Sequence, residues 1–241
     1  MRAGHAFGIT IKWSSRMPDS LAVRCVSGTP ARDPRPWHDM LVHVRFDDLV
    51  IPDTPACRGA LEVATGYHSP SLLNHSIRAY LWAAAYAQDN RIAFDAELLY
   101  VAAMLHDIGL AAEFDSHTVP YEEAGGHVAW VFGAGAGWSP ERRTRVSEVI
   151  VRHMWDEVPV AEDPEGHLLE LSTGMDISGR QTGDLPAEVR REVLERYPRL
   201  EIAKEFSGCI SDQGTRKPSS FAGRFVRGGI VDRIAANPLD A

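Results

Sequence analysis

Ten histidines occur among 241 residues, and His75, His106, His127 and His153 fall inside segments with helical patterning. His75, His106 and His153 sit on the apolar faces of three different helical patterns, where an imidazole withdrawn from water needs a polar partner. Carboxylates accompany them. Asp107 directly follows His106 at a helix C-terminus, where the macrodipole disfavours negative charge, and it comes after the apolar run Val101-Ala102-Ala103-Met104-Leu105. Asp176 stands four residues after Ser172 and seven after Leu169, on the inner side of its helix. A cation near these carboxylates would resolve the conflict. Two imidazoles, His75 and His106, and two carboxylates, Asp107 and Asp176, converging from three helices make a donor set suited to Zn²⁺, Fe²⁺ or Mn²⁺. A buried His/Asp hydrogen-bond network without an ion would use the same residue types. The other six histidines are expected to be solvated or locally bonded: His5, His38 and His43 in an irregular segment, His68 and His117 in loops, and His167 near a helix start.

The elements that must position these residues read as helices. Ser69-Pro70 places a cap before a proline at the first helical position, and Leu72, Leu73, Ser76, Ala79, Tyr80 and Ala83 recur at helical spacing, so a helix is expected over about 70–88. Asp95 can cap a second helix, which Gly109 would end in the left-handed conformation. Ser139-Pro140 opens another, with Val146, Val149, Ile150 and His153 along one stripe. Further helices fit 54–66, 121–133, 164–177, 186–196, 199–212 and 220–236. No segment after Pro52 alternates long enough for a strand, so the class is all-α. Residues 1–45, broken by Gly28, Pro30, Pro34 and Pro36 and without apolar periodicity, are expected to form an irregular N-terminal extension to one helical domain over 46–241.

The ordered set of an isolated His, a His-Asp pair within LLYVAAMLHDIGL and a distant Asp resembles the HD superfamily of metal-dependent hydrolases. The flanking segments IPDTPACRGALEVATG, SLLNHSIRAYLW, YEEAGG, VIVRH and MDISG through YPRLEIAKEF resemble its cyanamide-hydratase-like branch, over roughly 50–220. The resemblance implies an all-α fold with the metal held by His75, His106, Asp107 and Asp176. Dinuclear members carry a further histidine where this chain has Tyr121, and a phenol with a pKa near 10 is a poor ligand at neutral pH. One divalent metal is therefore expected, zinc first and iron or manganese next, with His127 an ordinary helix residue. His153 matches a family position that is then free for acid–base work, so Asp107 and His153 are the expected catalytic residues.

Composition restricts what such a site would serve. With 25 Lys and Arg against 33 Asp and Glu, the net charge is −8, which argues against nucleic acid and acidic membrane surfaces as partners. Three cysteines, Cys25, Cys57 and Cys209, provide neither a disulfide framework nor a zinc ribbon. No signal-peptide core or membrane span is evident, and a cytoplasmic location is expected. The glycine run from Gly133 lacks the third glycine of a dinucleotide loop, and the Glu141–Arg145 run reads as a solvated helix face. The expected function is enzymatic: a metal-activated water adds to a small-molecule substrate, with a nitrile such as cyanamide first. A phosphohydrolase acting on a nucleotide or other phosphoester is the alternative, and a non-catalytic metal- or metabolite-binding scaffold is the third reading.

Overall fold

The computed structural model describes residues 45–240, so the expectation for the N-terminal extension lies outside the described residues, as do His5, His38, His43 and Cys25. Within that range no strand occurs, and the chain is all-helical: α1 Pro55–Tyr67, α2 Pro70–Asn90, α3 Ala96–Leu105, α4 Tyr121–Gly135, α5 Pro140–Arg152, α6 Pro164–Ser178, α7 Ala187–Arg196, α8 Ile202–Arg216, α9 Phe221–Arg227 and α10 Ile230–Ala235. Local chemistry sets the starts. Ser69, Asp95, Ser139 and Asp163 each accept a bond from the backbone N–H three residues on, and Pro70, Pro140 and Pro164 occupy first-turn positions.

The apolar patterns decide which helices lie innermost. α3, AELLYVAAML, is buried from Leu98 to Leu105, and α2 buries fourteen of its residues, including Trp82 and Tyr80. Neither can present a polar face to water, so α1, α5 and α6 cover them. A second apolar cluster, containing Leu72, Tyr121, Met154, Ile177, Phe206, Ile210 and Ile230, gathers where α8 and α10 close over α6, with α9 packed against α8. Polar ties fix its edge. Arg216 bonds Asp115 at 2.6 Å and Lys217 bonds the Val119 carbonyl at 2.8 Å, holding the segment before α4 against α8.

Three local expectations need correction. Gly109 does not end α3 in the left-handed region; it lies in a 3-10 turn, Ile108–Leu110, and is glycine because an added Cβ would stand 2.2 Å from the Tyr121 carbonyl oxygen. The expected helix over 220–236 is two, divided at Gly228-Gly229, where Gly229 takes φ 75°. The arginines of the 141–145 run are not simply solvated. Arg142 bridges to Glu97 at 2.8 Å, and Arg145 to Glu165 at 2.7 Å, so α5 is tied to α3 and α6.

Candidate metal centre

Four helix segments converge at the boundary between the two clusters. α2 supplies His75 and, on the same face, Arg78 and Trp82. His106 caps the C-terminus of α3 and Asp107 follows it, His153 caps α5 in the same way, and Asp176 lies in the last turns of α6. His75, His106, Asp107 and Asp176 are at most 1% exposed, and His153 is buried at 7%.

Hydrogen bonds define the ring orientations. His75 Nδ1 lies 2.7 Å from Asp176 Oδ2, and His106 Nδ1 lies 2.8 Å from the Ala103 carbonyl, so each Nδ1 carries the proton it donates. Each Nε2 is left with a lone pair. Those two nitrogens are 3.1 Å apart, and Asp107 Oδ2 is 3.2 Å from His106 Nε2 and 3.5 Å from His75 Nε2. Neither oxygen of the Asp107 carboxylate has a hydrogen-bond partner. With both rings neutral, three acceptor atoms thus face one another without a donor among them, an arrangement that a cation, whether a proton or a metal ion, satisfies. His75, His106 and Asp107 form a His/His/Asp cluster able to coordinate a divalent metal.

Burial opposes the charge on Asp107, but the imidazoles of His106 and His75 hold its carboxyl below the usual range. Burial likewise opposes a proton on His106, and the Asp107 charge outweighs it, raising that imidazole; His75 is lowered, chiefly by burial.

Asp176 stands outside the three-residue cluster. Its Oδ1 accepts from Arg78 Nε at 2.8 Å and Trp82 Nε1 at 2.9 Å, and its Oδ2 from His75 Nδ1 and from an Arg78 terminal nitrogen at 2.7 Å. Burial pushes that carboxyl up, and Arg78 overrides it and holds the group well below the ordinary value. Asp176 thereby sits behind His75, on the ring nitrogen away from the cluster. The backbone carbonyl of Asp176 is bonded in turn by Asn237 at 2.8 Å and by Arg199.

His153 bonds the Ile150 carbonyl through Nδ1 and turns Nε2 towards Tyr121 Oη, 3.5 Å away. Burial lowers its pKa to about 3, so the ring is neutral at pH 7. Tyr121 is also buried, which raises its phenol well above 10, and its hydroxyl meets the Met154 sulfur at 2.8 Å. His127 is exposed on α4.

Several neighbours escaped the sequence reading. Arg78 and Trp82 were detectable: a basic residue three positions after His75, on a face otherwise filled with apolar side chains, needs a buried anion. His68, read as a loop residue, is buried with neither ring nitrogen partnered, and burial lowers it to about 4 against the opposing charge of Asp107. Glu122 is buried beside Tyr121, and burial pushes its carboxyl up to about 7. The only signal for either was adjacency to a residue that caps or opens a buried helix.

A cavity of about 400 Å³ leads from the cluster towards solvent. His75, His106, Asp107, Tyr121 and His153 line its inner part, and residues of α6, α8, α9 and α10 form its walls.

A family model described as the HD domain matches residues 72–171, a range containing His75, His106, Asp107 and His153. The chain carries an HD-domain fold homologous to two cyanamide hydratases of Saccharomyces cerevisiae, DDI2 and DDI3. Each is 28% identical over 172 residues, covering 69% of this chain and 76% of the relative. Among the described residues no helix is long and apolar enough to cross a membrane.

Proposed function

We propose that the protein is a metal-dependent hydratase or hydrolase that adds water to an unsaturated carbon of a small molecule, with cyanamide as the reference substrate. The observation that carries this reading is the donor-free meeting of His75 Nε2, His106 Nε2 and Asp107 Oδ2 at the inner end of an open cavity. In this reading those three residues hold one divalent ion, zinc first with iron or manganese next, and Asp176 fixes the ring and tautomer of His75. When bound, the metal supplies Lewis acidity, bringing the pKa of water from 15.7 towards about 7.

The remaining work falls to the chain. His153, neutral and with Nδ1 occupied by Ile150, has Nε2 available to accept the proton released as water oxygen bonds to the nitrile carbon. Tyr121 Oη, 3.5 Å from that nitrogen, can relay the proton: it donates to the nitrile nitrogen as the carbon–nitrogen bond order falls and is reprotonated from His153 Nε2, which returns both groups to their starting state. The balance is one water added per nitrile, giving an amide, or urea from cyanamide. A phosphoryl group at the same place would call for cations around its oxygens. Among the described residues, Arg180 and Arg233 are the only lysine or arginine residues lining the cavity, and Arg78 beneath it is committed to Asp176.

Zinc-loaded protein is expected to convert cyanamide to urea faster than it releases phosphate from any nucleoside monophosphate. Phosphate release without nitrile hydration would overturn the reading, and absence of turnover on both would favour a binding scaffold. His153→Ala should retain metal while losing about 10²- to 10⁴-fold in turnover, the range for a missing acid or base. Loss of metal in that variant would make His153 a ligand instead.

A further inference from the structure

The cavity is far larger than cyanamide requires. Cyanamide has three heavy atoms and fills roughly 60 Å³, about twice the volume of a water molecule. The space in front of the cluster is about 400 Å³, within the range of sites that enclose drug-sized ligands. A molecule as small as cyanamide would be held at the cluster by very little protein surface.

The cavity is also asymmetric in charge once its pairs are assigned. Glu170 is paired with Arg180, whose guanidinium lies flat across α6 where Gly174 leaves room; a Cβ there would stand 2.6 Å from Arg180 Nη2. Asp156 is paired with Arg224 at 3.1 Å, and Asp107 faces His75 and His106. Arg233, on α10, also lines the cavity, but it is exposed and its side chain makes no ion pair or hydrogen bond with any described residue. The cluster residues are fully buried, so the reacting end is the floor and Arg233 marks the mouth. Between them the walls are apolar, with Ile177, Phe206 and Ile230.

We propose that the substrate is an organic anion substantially larger than cyanamide. Its reacting carbon sits at the floor beside His75, His106 and Asp107, and its apolar body lies along Ile177, Phe206 and Ile230. A carboxylate or comparable anionic group, remote from the reacting carbon, is bound by Arg233 at the mouth. The proposal rests on the reading that chemistry occurs at the floor, and Arg233 is in it a specificity-determining residue.

Calorimetric binding tests it without requiring turnover. The probes are ω-cyanoalkanoates of increasing length, from cyanoacetate upwards, each beside the neutral primary amide of its acid end, titrated into the zinc-loaded full chain. Affinity should rise with length to a maximum, where the anion outbinds its amide by about three- to tenfold, as expected for a partly solvated ion pair. Arg233→Ala should abolish that preference and Arg233→Lys should keep part of it, both with unchanged melting temperature. No binding by any member, equal affinity of anion and amide, or a preference that survives Arg233→Ala overturns the proposal. Tight, charge-selective binding without hydration would instead count against the hydratase reading and leave this one standing.

Discussion

His106→Ala is expected to strip the protein of nearly all its metal, from about one ion per chain in the parent, and to abolish turnover. The variant deletes one of three donor atoms that meet without a hydrogen between them, and among the described residues the cluster holds no fourth donor. Asp176→Asn is the informative companion. Its carbonyl oxygen can still accept from His75 Nδ1, so if Asp176 acts through His75 the ion should be retained with affinity lowered by about 10- to 100-fold, the usual effect of altering a ligand's supporting partner. Metal content by atomic absorption after gel filtration, with competition against a chelator, separates the two cases. Complete loss in Asp176→Asn would make that carboxylate a direct ligand, and full occupancy in His106→Ala would remove the cluster from the metal.

The second large effect belongs to stability. Arg78→Ala should lower the free energy of unfolding by about 3–5 kcal/mol, the cost of leaving one member of a buried ion pair uncompensated. Arg78 and Asp176 are both 0% exposed, and the same guanidinium also satisfies the carbonyls of Tyr197 and Pro198 at 3.1 Å. Lysine should recover little, because it cannot offer two parallel bonds to the carboxylate. The sign of the pH effect follows from the depressed folded pKa of Asp176. Its contribution is full above the unfolded value near 4 and fades as acid protonates the unfolded carboxylate. Denaturant titration at neutral pH and in acid should therefore show the gap between parent and Arg78→Ala narrowing at low pH. A gap that is small throughout would mean that water or relaxation replaces the guanidinium.

Much of the frame was readable because its rules are local. Ser69-Pro70, Asp95 and Ser139-Pro140 open helices through their own side chains, and the run of α3 after Glu97, almost without polar side chains, announces a central position. The meeting of His75, His106 and Asp107 was also within reach, since polar groups on buried faces must find one another. Which carboxylate faces the cluster was not. Asp107 and Asp176 carry the same functional group at comparable burial, and only the three-dimensional position of Arg78 and Trp82 turns Asp176 to the far side of His75. His68 and Gly109 were misjudged for a related reason: their environment is built by segments distant in sequence, the cluster for one and the Tyr121 carbonyl for the other. Cavity size, and the unpaired side chain of Arg233 within it, depend on α8 and α10 packing over α6 and on α9 packing against α8, which no window of residues encodes.

The long separation between the partners of His75 has a consequence during synthesis. Asp176 is 101 residues downstream of His75, and the Asn237 side chain that braces its carbonyl is 61 residues further. A nascent chain emerges N-terminus first, so α2 and α3 leave the ribosome well before α6 exists. Until then His75 has no acceptor to fix its tautomer, and its two ring nitrogens compete for the same proton. In the reading proposed above, the ion itself would join only α2 and α3, across the 31 positions from His75 to His106, and what comes late is the Asp176 support that sets the geometry of His75. An ion held there would gain its final affinity only when α6 docks, even though its ligands are made early.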